Sequence, residues 1–533
     1  MTGGSRSVMV VMGCLALAGV AARMQAQVPA AGQIRQSAYI KASNPEAGDH
    51  FGNGGTLEGF SVAVSGDGTT MAVGAPQEAS GAKGIGGNQA DNSAYDSGAV
   101  YVYTRVRNGA WAQQAYIKAS NTGDGDNFGH AVALSADGNT LAVSAYWEGS
   151  NAKGIGGNQE DNSIPQSGAV YVFTRRGTAW TQQAYIKASN TGEVGVGDAF
   201  GDGDQFGFSL TISDDGNTLA VSANAEDSNA TGINGDQTNN SMVSAGAVYL
   251  FSRTGTTWTQ QAYVKAANTR GGVQFGYSVA LSADGNTLAA TAYDEAGGSR
   301  GINGAYDFMP PANGSGAVYV FTRSGTDWTQ QAYIKASNAE RNDSLGVMVA
   351  ISDDGNTLVG ASLDEDCMAT GVNPPGCDKD MESDTSTGAV YVFVRSGTAW
   401  TQQAFIKATN TGNEDLFGSR LALSGDGNTI AASAQMEDSA AKGIDGKQDD
   451  NSATEAGAVY LLTRTGTTWA HRSYIKGSNT EAFDEFGSAV ALTRDGRTLV
   501  VSARGEDSAA KGINGSQADN SADESGAVYV FTR

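Results

Sequence analysis

The sequence predicts an all-β fold made of seven repeated units, and three observations support this prediction. A phrase of the form Gln-Gln-Ala-Tyr-Ile-Lys-Ala-Ser-Asn recurs about every 70 residues. Each interval holds four short apolar runs with no helical period. The 533 residues include 73 Gly and only 8 Pro, which fits a folded chain with many turns and excludes collagen-like or proline-rich disordered classes. The aromatic residue of the phrase marks the seven copies: Tyr39, Tyr116, Tyr185, Tyr263, Tyr333, Phe405 and Tyr474.

One unit, beginning at residue 128, predicts a four-stranded antiparallel meander. Its four predicted strands are residues 128–135, 140–145, 169–175 and 180–188. The pair Asp137-Gly138 is typical of a tight hairpin turn between the first two strands. A long loop rich in Gly, Asn and Asp joins the second strand to the third. Seven such units predict the blades of a β-propeller, because radial closure leaves few exposed strand edges.

The two ends of the chain distinguish a closed ring from a linear solenoid. Residues 33–42 resemble a fourth strand without the three strands that should precede it. The seventh repeat ends at Arg533 after its third strand. We therefore expect residues 33–42 to pair with residues 527–533 and to close the ring within one blade, an arrangement that a solenoid does not require.

The N-terminal segment is typical of an export signal. Arg6 precedes an apolar stretch at residues 8–22, and small residues follow, so we expect cleavage near residue 26 and a single propeller domain at residues 27–533. Lipidation at Cys14 is the alternative. The mature protein would then be periplasmic, displayed on the cell surface or released. In such an oxidising space Cys367 and Cys377 are expected to form a local disulfide, although two unpaired thiols are the alternative.

The charge balance excludes several partner classes. Asp and Glu outnumber Lys and Arg by 56 to 33, and the formal net charge is -23. This acidity argues against nucleic acid and anionic membranes as partners. Beyond the N-terminal segment, no stretch approaches the ~18 apolar residues that a membrane helix needs, so we expect no membrane insertion. We also expect the protein to be a monomer.

The aromatic residues fall into two groups. Six of the seven Trp residues open the predicted fourth strand of their unit, and a large residue at the same place in each blade indicates packing. Trp147 lies instead in a long loop, where it is the best aromatic candidate for a ligand contact unless it folds back onto that loop. Blades four and five carry unusual loops, with Tyr306 and Phe308 in the first and the two cysteines in the second. These two loops are further candidates for a partner site, and loop drift is the alternative.

Two short motifs carry a resemblance to a known family. Gly168-Ala169-Val170-Tyr171 recurs in each blade, and Gly74-Ala75-Pro76 occurs once. Phe-Gly opens the first strand of most blades, with Leu345-Gly346 and Glu58-Gly59 as variants: Phe128-Gly129, Phe206-Gly207, Phe275-Gly276, Phe417-Gly418 and Phe486-Gly487. The chain resembles the FG-GAP repeat family, the seven-bladed propellers of integrin α-chains and of many bacterial exported proteins, and it is most similar to the bacterial branch. The resemblance implies a propeller that binds proteins or glycans outside the cell, often with calcium held in blade loops.

The turn that holds calcium in integrin-like members is not reproduced here. It contains only one or two acids, as in Asp137-Gly138-Asn139, and one carboxylate cannot hold Ca²⁺. Acids recur instead on the opposite, long-loop side of the blades. After the second strand they are Glu78, Glu148, Glu226, Glu295, Asp364, Glu437 and Glu506. Before the first strand they are Asp126, Asp204, Asp343, Asp415 and Asp484.

Two interpretations of these acids remain open. They could coordinate Ca²⁺ with loop carbonyls, or they could bond to their own backbone in Asx-turns, as the recurring Asp-Asn-Ser also predicts. Lysines in the same loops could neutralise them: Lys83, Lys153, Lys442 and Lys511. No cofactor is certain, and calcium is the only candidate.

The sequence offers little support for catalysis. Its three His residues occupy non-equivalent places, so they form no recurring catalytic or zinc constellation. The sequence therefore predicts an exported, non-catalytic binding or adhesion scaffold whose acidic loop face receives a protein or a glycan. The alternative is a glycan-directed propeller, either a lectin or a polysaccharide-active enzyme, with a central acidic pocket.

Overall fold

The computed structural model describes residues 1–2, 33–53, 60–106, 109–192, 203–306, 314–377 and 385–533. Residues from Ile34 onward form one compact unit. Within these ranges the chain forms 28 strands in seven four-stranded antiparallel sheets and no helix. No described helix could therefore cross a membrane. The predicted seven-bladed, all-β architecture is confirmed, whereas the predicted signal peptide lies in a segment outside the described residues apart from its first two.

Each sheet is one blade. Blade 1 contains β2 (Val62–Val64), β3 (Thr70–Ala75), β4 (Ala99–Arg105) and β5 (Trp111–Ile117). Blade 2 contains β6 (Phe128–Leu134), β7 (Thr140–Ala145), β8 (Ala169–Arg176) and β9 (Ala179–Ile186). Blade 3 contains β10 (Phe206–Ile212), β11 (Thr218–Ala223), β12 (Ala247–Thr254) and β13 (Thr257–Val264). Blade 4 contains β14 (Val279–Leu281), β15 (Thr287–Ala292), β16 (Ala317–Ser324) and β17 (Asp327–Ile334).

The remaining blades follow the same order. Blade 5 contains β18 (Val349–Ile351), β19 (Thr357–Ser362), β20 (Ala389–Ser396) and β21 (Ala399–Ile406). Blade 6 contains β22 (Phe417–Leu423), β23 (Thr429–Ala434), β24 (Ala458–Thr465) and β25 (Thr468–Ile475). Blade 7 contains β26 (Phe486–Leu492), β27 (Thr498–Ala503), β28 (Ala527–Thr532) and, from the other end of the chain, β1 (Arg35–Ile40).

The ring closes within blade 7 as the sequence predicts. Strand β1 pairs antiparallel with β28, with Tyr39 opposite Tyr529 and Ile40 opposite Val528. The described residues form seven buried hydrophobic clusters, each built mainly from two neighbouring blades. A linear array of seven blades has six internal interfaces, so the seventh cluster, between blades 7 and 1, is the packing of a closed ring.

The Phe-Gly and Gly-Ala-Val-Tyr motifs recur because they meet at the blade interfaces. Gly168 of blade 2 has a φ of +77°, and a Cβ there would lie 2.1 Å from the carbonyl oxygen of Phe206 in blade 3. Gly207 has a φ of +100°, a conformation that a side chain rarely adopts. Glycine is therefore required at 168 by the close approach of two backbones and at 207 by the backbone conformation.

The recurring Trp residues join neighbouring blades near the turns that connect the first and second strands of each blade, which we call the first-second turns. Trp180 is 5% exposed, and its indole Nε1 donates to Oε1 of Gln114 in the preceding blade at 3.0 Å. The Arg175 guanidinium lies over the Trp180 ring and donates to the same Gln114 oxygen. These contacts agree with the packing role that the sequence predicts for this Trp set.

One assignment in blade 1 is wrong. The sequence places Glu58-Gly59 at the Phe-Gly position, but Phe51-Gly52 takes that place. The ring of Phe51 packs edge-on against Tyr101, and the Phe51 N–H bonds to the Ser525 carbonyl, as Phe128 bonds to Ser97. The insertion therefore follows the Phe-Gly pair instead of preceding it, and residues 54–59 lie outside the described part of the chain.

The first strands of the blades surround a central channel. It contains a cavity of about 300 Å³ lined mainly by apolar residues of these strands, together with Phe60, Met348 and Arg420 near the long-loop side. On the opposite side Arg494 forms ion pairs with Asp214 of blade 3 and with Asp353 of blade 5, the latter at 3.0 Å. Arg494 thus links three blades across the turn-side end of the channel.

Candidate functional site

The recurring glutamates are buried inside the blades and do not form an exposed ring. Each makes an ion pair with the lysine of the repeated phrase, and every lysine in these pairs has a fully buried side chain. The pairs are Glu78–Lys118, Glu148–Lys187, Glu226–Lys265, Glu295–Lys335, Glu365–Lys407, Glu437–Lys476 and Glu506–Lys41. The repeated phrase therefore encodes the positive half of a buried ion pair in every blade.

Blade 6 illustrates the geometry. The Glu437 carboxylate accepts hydrogen bonds from Lys476 Nζ at 2.8 Å and from the Tyr474 hydroxyl at 2.9 Å. The Asn410 amide, from the phrase of the preceding blade, donates to the same carboxylate at 2.8 Å. The Tyr460 hydroxyl in turn donates to Asn410 Oδ1. The Tyr, Lys and Asn of the phrase are thus explained together, because one buried carboxylate needs all their hydrogen bonds.

Two sequence-based assignments in this set need correction. In blade 5 the buried partner of Lys407 is Glu365, not Asp364, because β19 ends at Ser362, one residue after the Ala361 from which the sequence pattern was counted. Asp364 instead accepts hydrogen bonds from the hydroxyls of Ser344 and Ser386. In the described blades the recurring glutamates are neutralised by the lysines of the repeated phrase. The loop lysines, such as Lys442, do not take this role.

The aspartates that precede the first strands are also buried. Asp415 accepts a hydrogen bond from the Gly412 N–H at 2.7 Å, and Asp126, Asp343 and Asp484 accept the equivalent bond in their blades. Burial, with the nearby Glu437 as a lesser cause, raises the pKa of Asp415 from 3.8 to about 7. Burial likewise raises the pKa of Asp126 to about 7, that of Asp343 and Asp484 to about 8, and that of Asp204 well above its usual range.

From the pKa values of these aspartates we expect stability to fall as the pH rises from about 4 to about 7. Since the folded-state pKa of Asp415 lies above its value in the unfolded chain, the folded protein holds the proton more tightly, and the stability from this group is lost as the pH rises through about 7. Thermal unfolding of Asp415→Asn should match the wild type below about pH 4 and exceed it by a growing margin up to about pH 7. Parallel melting-temperature curves for the two proteins would contradict this account.

The recurring carboxylates that the sequence offers as calcium ligands are engaged by protein groups in the described blades. The second-strand glutamates are held by lysines. In the first-second turn, Asp137 accepts hydrogen bonds from the Ser135 hydroxyl, from the Asn139 N–H and from the Asn139 amide, so the turn itself occupies both oxygens. In the described residues no three or more His, Cys, Asp or Glu side chains are grouped to hold a metal. Asp161 accepts from the Ser163 N–H in the Asx-turn that its sequence predicts.

Residues that differ between blades gather at the loop-side end of the channel, which we call the mouth. Two repeat positions supply most of them. The residue after Phe-Gly is His130, Phe208, Tyr277, Val347, Ser419 and Ser488 in blades 2 to 7. The residue after the second strand is Pro76, Tyr146, Asn224, Tyr293, Leu363, Gln435 and Arg504 in blades 1 to 7. At these two positions the residues that border the channel are therefore not copies of one another.

Blades 2 to 4 contribute a chain of aromatic rings to the mouth. The rings of His130 and Tyr146 stack with centroids 3.9 Å apart, and Trp147 lies 5.2 Å from Tyr146. Ring contacts continue from His130 through Phe208 and Tyr277 to Tyr293. Trp147 is 38% exposed and is the most exposed ring of this group. We call these residues the aromatic arc: His130, Tyr146, Trp147, Phe208, Tyr277 and Tyr293.

Blades 6 and 7 contribute polar groups to the same mouth. Arg504 forms a two-bond ion pair with Glu485, with Arg504 Nε 2.6 Å from Glu485 Oε2. The Gln435 amide donates to the same Glu485 carboxylate. The mouth therefore has an aromatic side and a polar side.

The other predicted contact residues lie elsewhere. Tyr306 is 44% exposed, but its hydroxyl accepts a hydrogen bond from the Gln330 amide and its ring packs on Tyr333, so it folds against its own blade. Phe308 lies outside the described residues. Cys367 and Cys377 form a disulfide that anchors the long loop of blade 5. The sequence identified Trp147 but missed the other five rings, which a position-by-position comparison of the seven blades would have revealed.

Comparison with known proteins places these features in a family. The sequence profile of the FG-GAP repeat matches residues 111–173, 328–393 and 469–531. Each match begins at the fourth-strand Trp of one blade and ends in the third strand of the next, so it spans one blade interface. The chain is an FG-GAP repeat β-propeller. The matched segments of this FG-GAP protein contain both the ion-pair phrase and the Phe-Gly motif or its Leu345-Gly346 variant.

Solved structures similar to this FG-GAP propeller share little sequence with it. A periplasmic gluconolactonase of Pseudomonas aeruginosa is 13% identical, with a TM-score of 0.45 over 84% of this chain and 98% of the other. The Cps50 (Swd1) β-propeller domain of Myceliophteria thermophila is 9% identical, with a TM-score of 0.42 over 87% of this chain and 95% of the other. No curated protein sequence matches the chain.

Proposed function

We propose that this FG-GAP propeller is an exported, non-catalytic binding module that holds a glycan at the mouth of its channel. The observation that supports the proposal most strongly is the distribution of variation among the blades. The ion pairs and the interface motifs recur around the ring and serve the fold. The mouth concentrates unlike residues, as a site for one particular ligand requires.

The aromatic arc favours a glycan over other partners. The exposed Trp147 ring, backed by Tyr146 and His130, offers a flat apolar face for the C–H face of a sugar. Polar groups lie along the same arc, since Asn224 donates to Gln274 Oε1 and Gln274 donates to the Tyr293 hydroxyl. Such amides and hydroxyls can exchange these mutual bonds for bonds to sugar hydroxyls.

The proposal predicts that Trp147→Ala weakens glycan binding. A panel of neutral and acidic oligosaccharides, measured by calorimetry, should contain at least one binder whose affinity falls about 30-fold in the variant, corresponding to about 2 kcal/mol for the loss of a central aromatic contact. Tyr95→Ala is the matched control, because Tyr95 is a highly exposed loop aromatic outside the arc. No binder in the panel, or equal loss in both variants, would contradict the proposal.

A polysaccharide-active enzyme is the second candidate. Asp294 and Asp364 occupy, in blades 4 and 5, the repeat position that Trp147 occupies in blade 2. Burial raises the pKa of both carboxyls, a property of groups that exchange protons with a substrate. Release of new reducing ends from a bound polysaccharide, abolished by Asp364→Asn, would favour this candidate over the binding module.

A further inference from the structure

The third-strand arginines of blades 2 to 6 share one set of partners near the first-second turns. In blade 6, Arg464 Nε donates to Asn428 Oδ1 at 2.9 Å and Arg464 NH1 donates to Gln403 Oε1 at 3.1 Å. Its NH2 donates to Thr357 Oγ1, and the guanidinium lies over the Trp469 ring. The same four contacts surround Arg175, Arg253, Arg323 and Arg395.

Arg533 occupies the equivalent place in blade 7. Its N–H donates to the Arg497 carbonyl at 3.0 Å, as the Arg464 N–H donates to the Asn428 carbonyl. Its NH2 donates to Thr429 Oγ1 at 3.0 Å, the counterpart of the threonine contact in the other blades. The guanidinium of Arg533 is therefore placed like its five counterparts.

The other partners of this guanidinium are replaced in blade 7. Arg497 stands where blade 6 has Asn428, and Arg472 stands where the preceding interface has Gln403. Ile34 stands where the other blades have Trp. Two neutral acceptors have thus become cations, and the aromatic ring that covers the guanidinium has been lost.

The carboxylates near Arg533 accept hydrogen bonds from residues of their own turns. Asp495 accepts hydrogen bonds from the Thr493 hydroxyl and from the Arg497 N–H, and its nearest contact with the Arg497 guanidinium is 3.9 Å. Asp426 accepts from the Ser424 hydroxyl and from Asn428. Arg494, in the same turn as Asp495, points to Asp214 and Asp353. The Arg497 side chain is 73% exposed, so solutes can reach this position.

We propose that Arg472, Arg497 and Arg533, the arginine triad, bind a small oxyanion, namely a phosphate or sulfate group. Such an anion supplies the acceptor oxygens that Asn and Gln supply in the other blades, and guanidinium groups bind these tetrahedral anions through paired N–H donors. It also relieves the repulsion among three neighbouring cations on a chain whose net charge is -23. Burial lowers the pKa of Arg533, and Arg472 and Arg497 add to this effect while Asp495 and Asp426 oppose it, as expected for a site that gains from an added anion.

Calorimetric titration of the mature protein with inorganic phosphate or with inorganic sulfate tests the proposal. We expect saturable binding at one site per chain, together with a rise in melting temperature of about 2 °C at saturating anion relative to chloride at equal ionic strength. Dextran sulfate, compared with inorganic sulfate at the same sulfate concentration, distinguishes a free ion from a group carried by a larger molecule. Either source supports the site.

The matched variants restore the residues of the other blades. Arg472→Gln with Arg497→Asn should abolish the calorimetric signal and the anion-dependent rise, and should melt above the wild type when no oxyanion is present. Arg341→Gln removes one exposed positive charge from a blade connection and should behave like the wild type. An equal effect of chloride, or a signal that survives in the double variant, would overturn the proposal.

Discussion

Replacement of Lys476 by Met is expected to lower the free energy of unfolding by about 3–5 kcal/mol, because it leaves the Glu437 carboxylate buried without its cation. Burial lowers the pKa of Lys476 and Glu437 opposes that effect, which indicates that the lysine is held by its partner and not by solvent. Urea unfolding monitored by tryptophan fluorescence measures the loss.

Two further variants separate the ion pair from general damage. Lys476→Met combined with Glu437→Gln should recover most of the lost stability, since no uncompensated charge then remains inside the blade. Lys442→Met removes an exposed lysine from the long loop of the same blade and should change stability by less than about 0.5 kcal/mol. Equal losses in the single and double variants would show that the pair is not the source of the effect.

A chain truncated to begin at residue 43 is expected to lose the closed ring. Without β1, the whole edge of β28 is exposed, and an unpaired edge is a template for association between chains. The same deletion removes Lys41 and Tyr39, which bond to Glu506 at 2.7 Å each, and leaves that carboxylate buried. We expect oligomers in light scattering and a broad, early thermal transition.

A synthetic peptide of residues 33–42 provides the control for this truncation. Its addition should restore a monomer and a sharp transition, because the peptide supplies both the missing strand and the missing lysine. A truncated chain that remains monomeric with the melting temperature of the full chain would contradict closure by β1.

The architecture could be predicted from the sequence because its signals are local. The Asp137-Gly138 turn, the apolar strands beside it and the lone strand at residues 33–42 each occupy a few adjacent residues, and all three predictions are confirmed. Repetition strengthened each signal, since an element misread in one blade could be compared with six others.

The internal chemistry could not be predicted because it joins residues that are distant in sequence. Glu437 and Lys476 belong to different recurring motifs, and only the packing of the long loop over the fourth strand brings them together. The acids therefore seemed to form an exposed rim. Blade 5 shows the same limit on a smaller scale, because its second strand ends in Ser362 where the other blades have Ala, and a count that starts from Ala361 selects Asp364 instead of Glu365.

The mouth was missed for a different reason. Motif searching favours what recurs, whereas the aromatic arc consists of positions that do not recur: Tyr146 stands where blade 3 has Asn224 and blade 7 has Arg504. Only the ring geometry shows that these positions meet around one axis. In a repeat protein the departures from the repeat are therefore the first candidates for a ligand site.

The most direct test of this division between fold and function is to measure, for two variants, both the melting temperature and the affinity for the best oligosaccharide of the panel. Trp147→Ala should lose about 30-fold in affinity and keep its melting temperature. Lys476→Met should lose stability and, below its melting temperature, keep its affinity. The reverse pattern, with binding lost through the buried pair and retained without Trp147, would contradict the account.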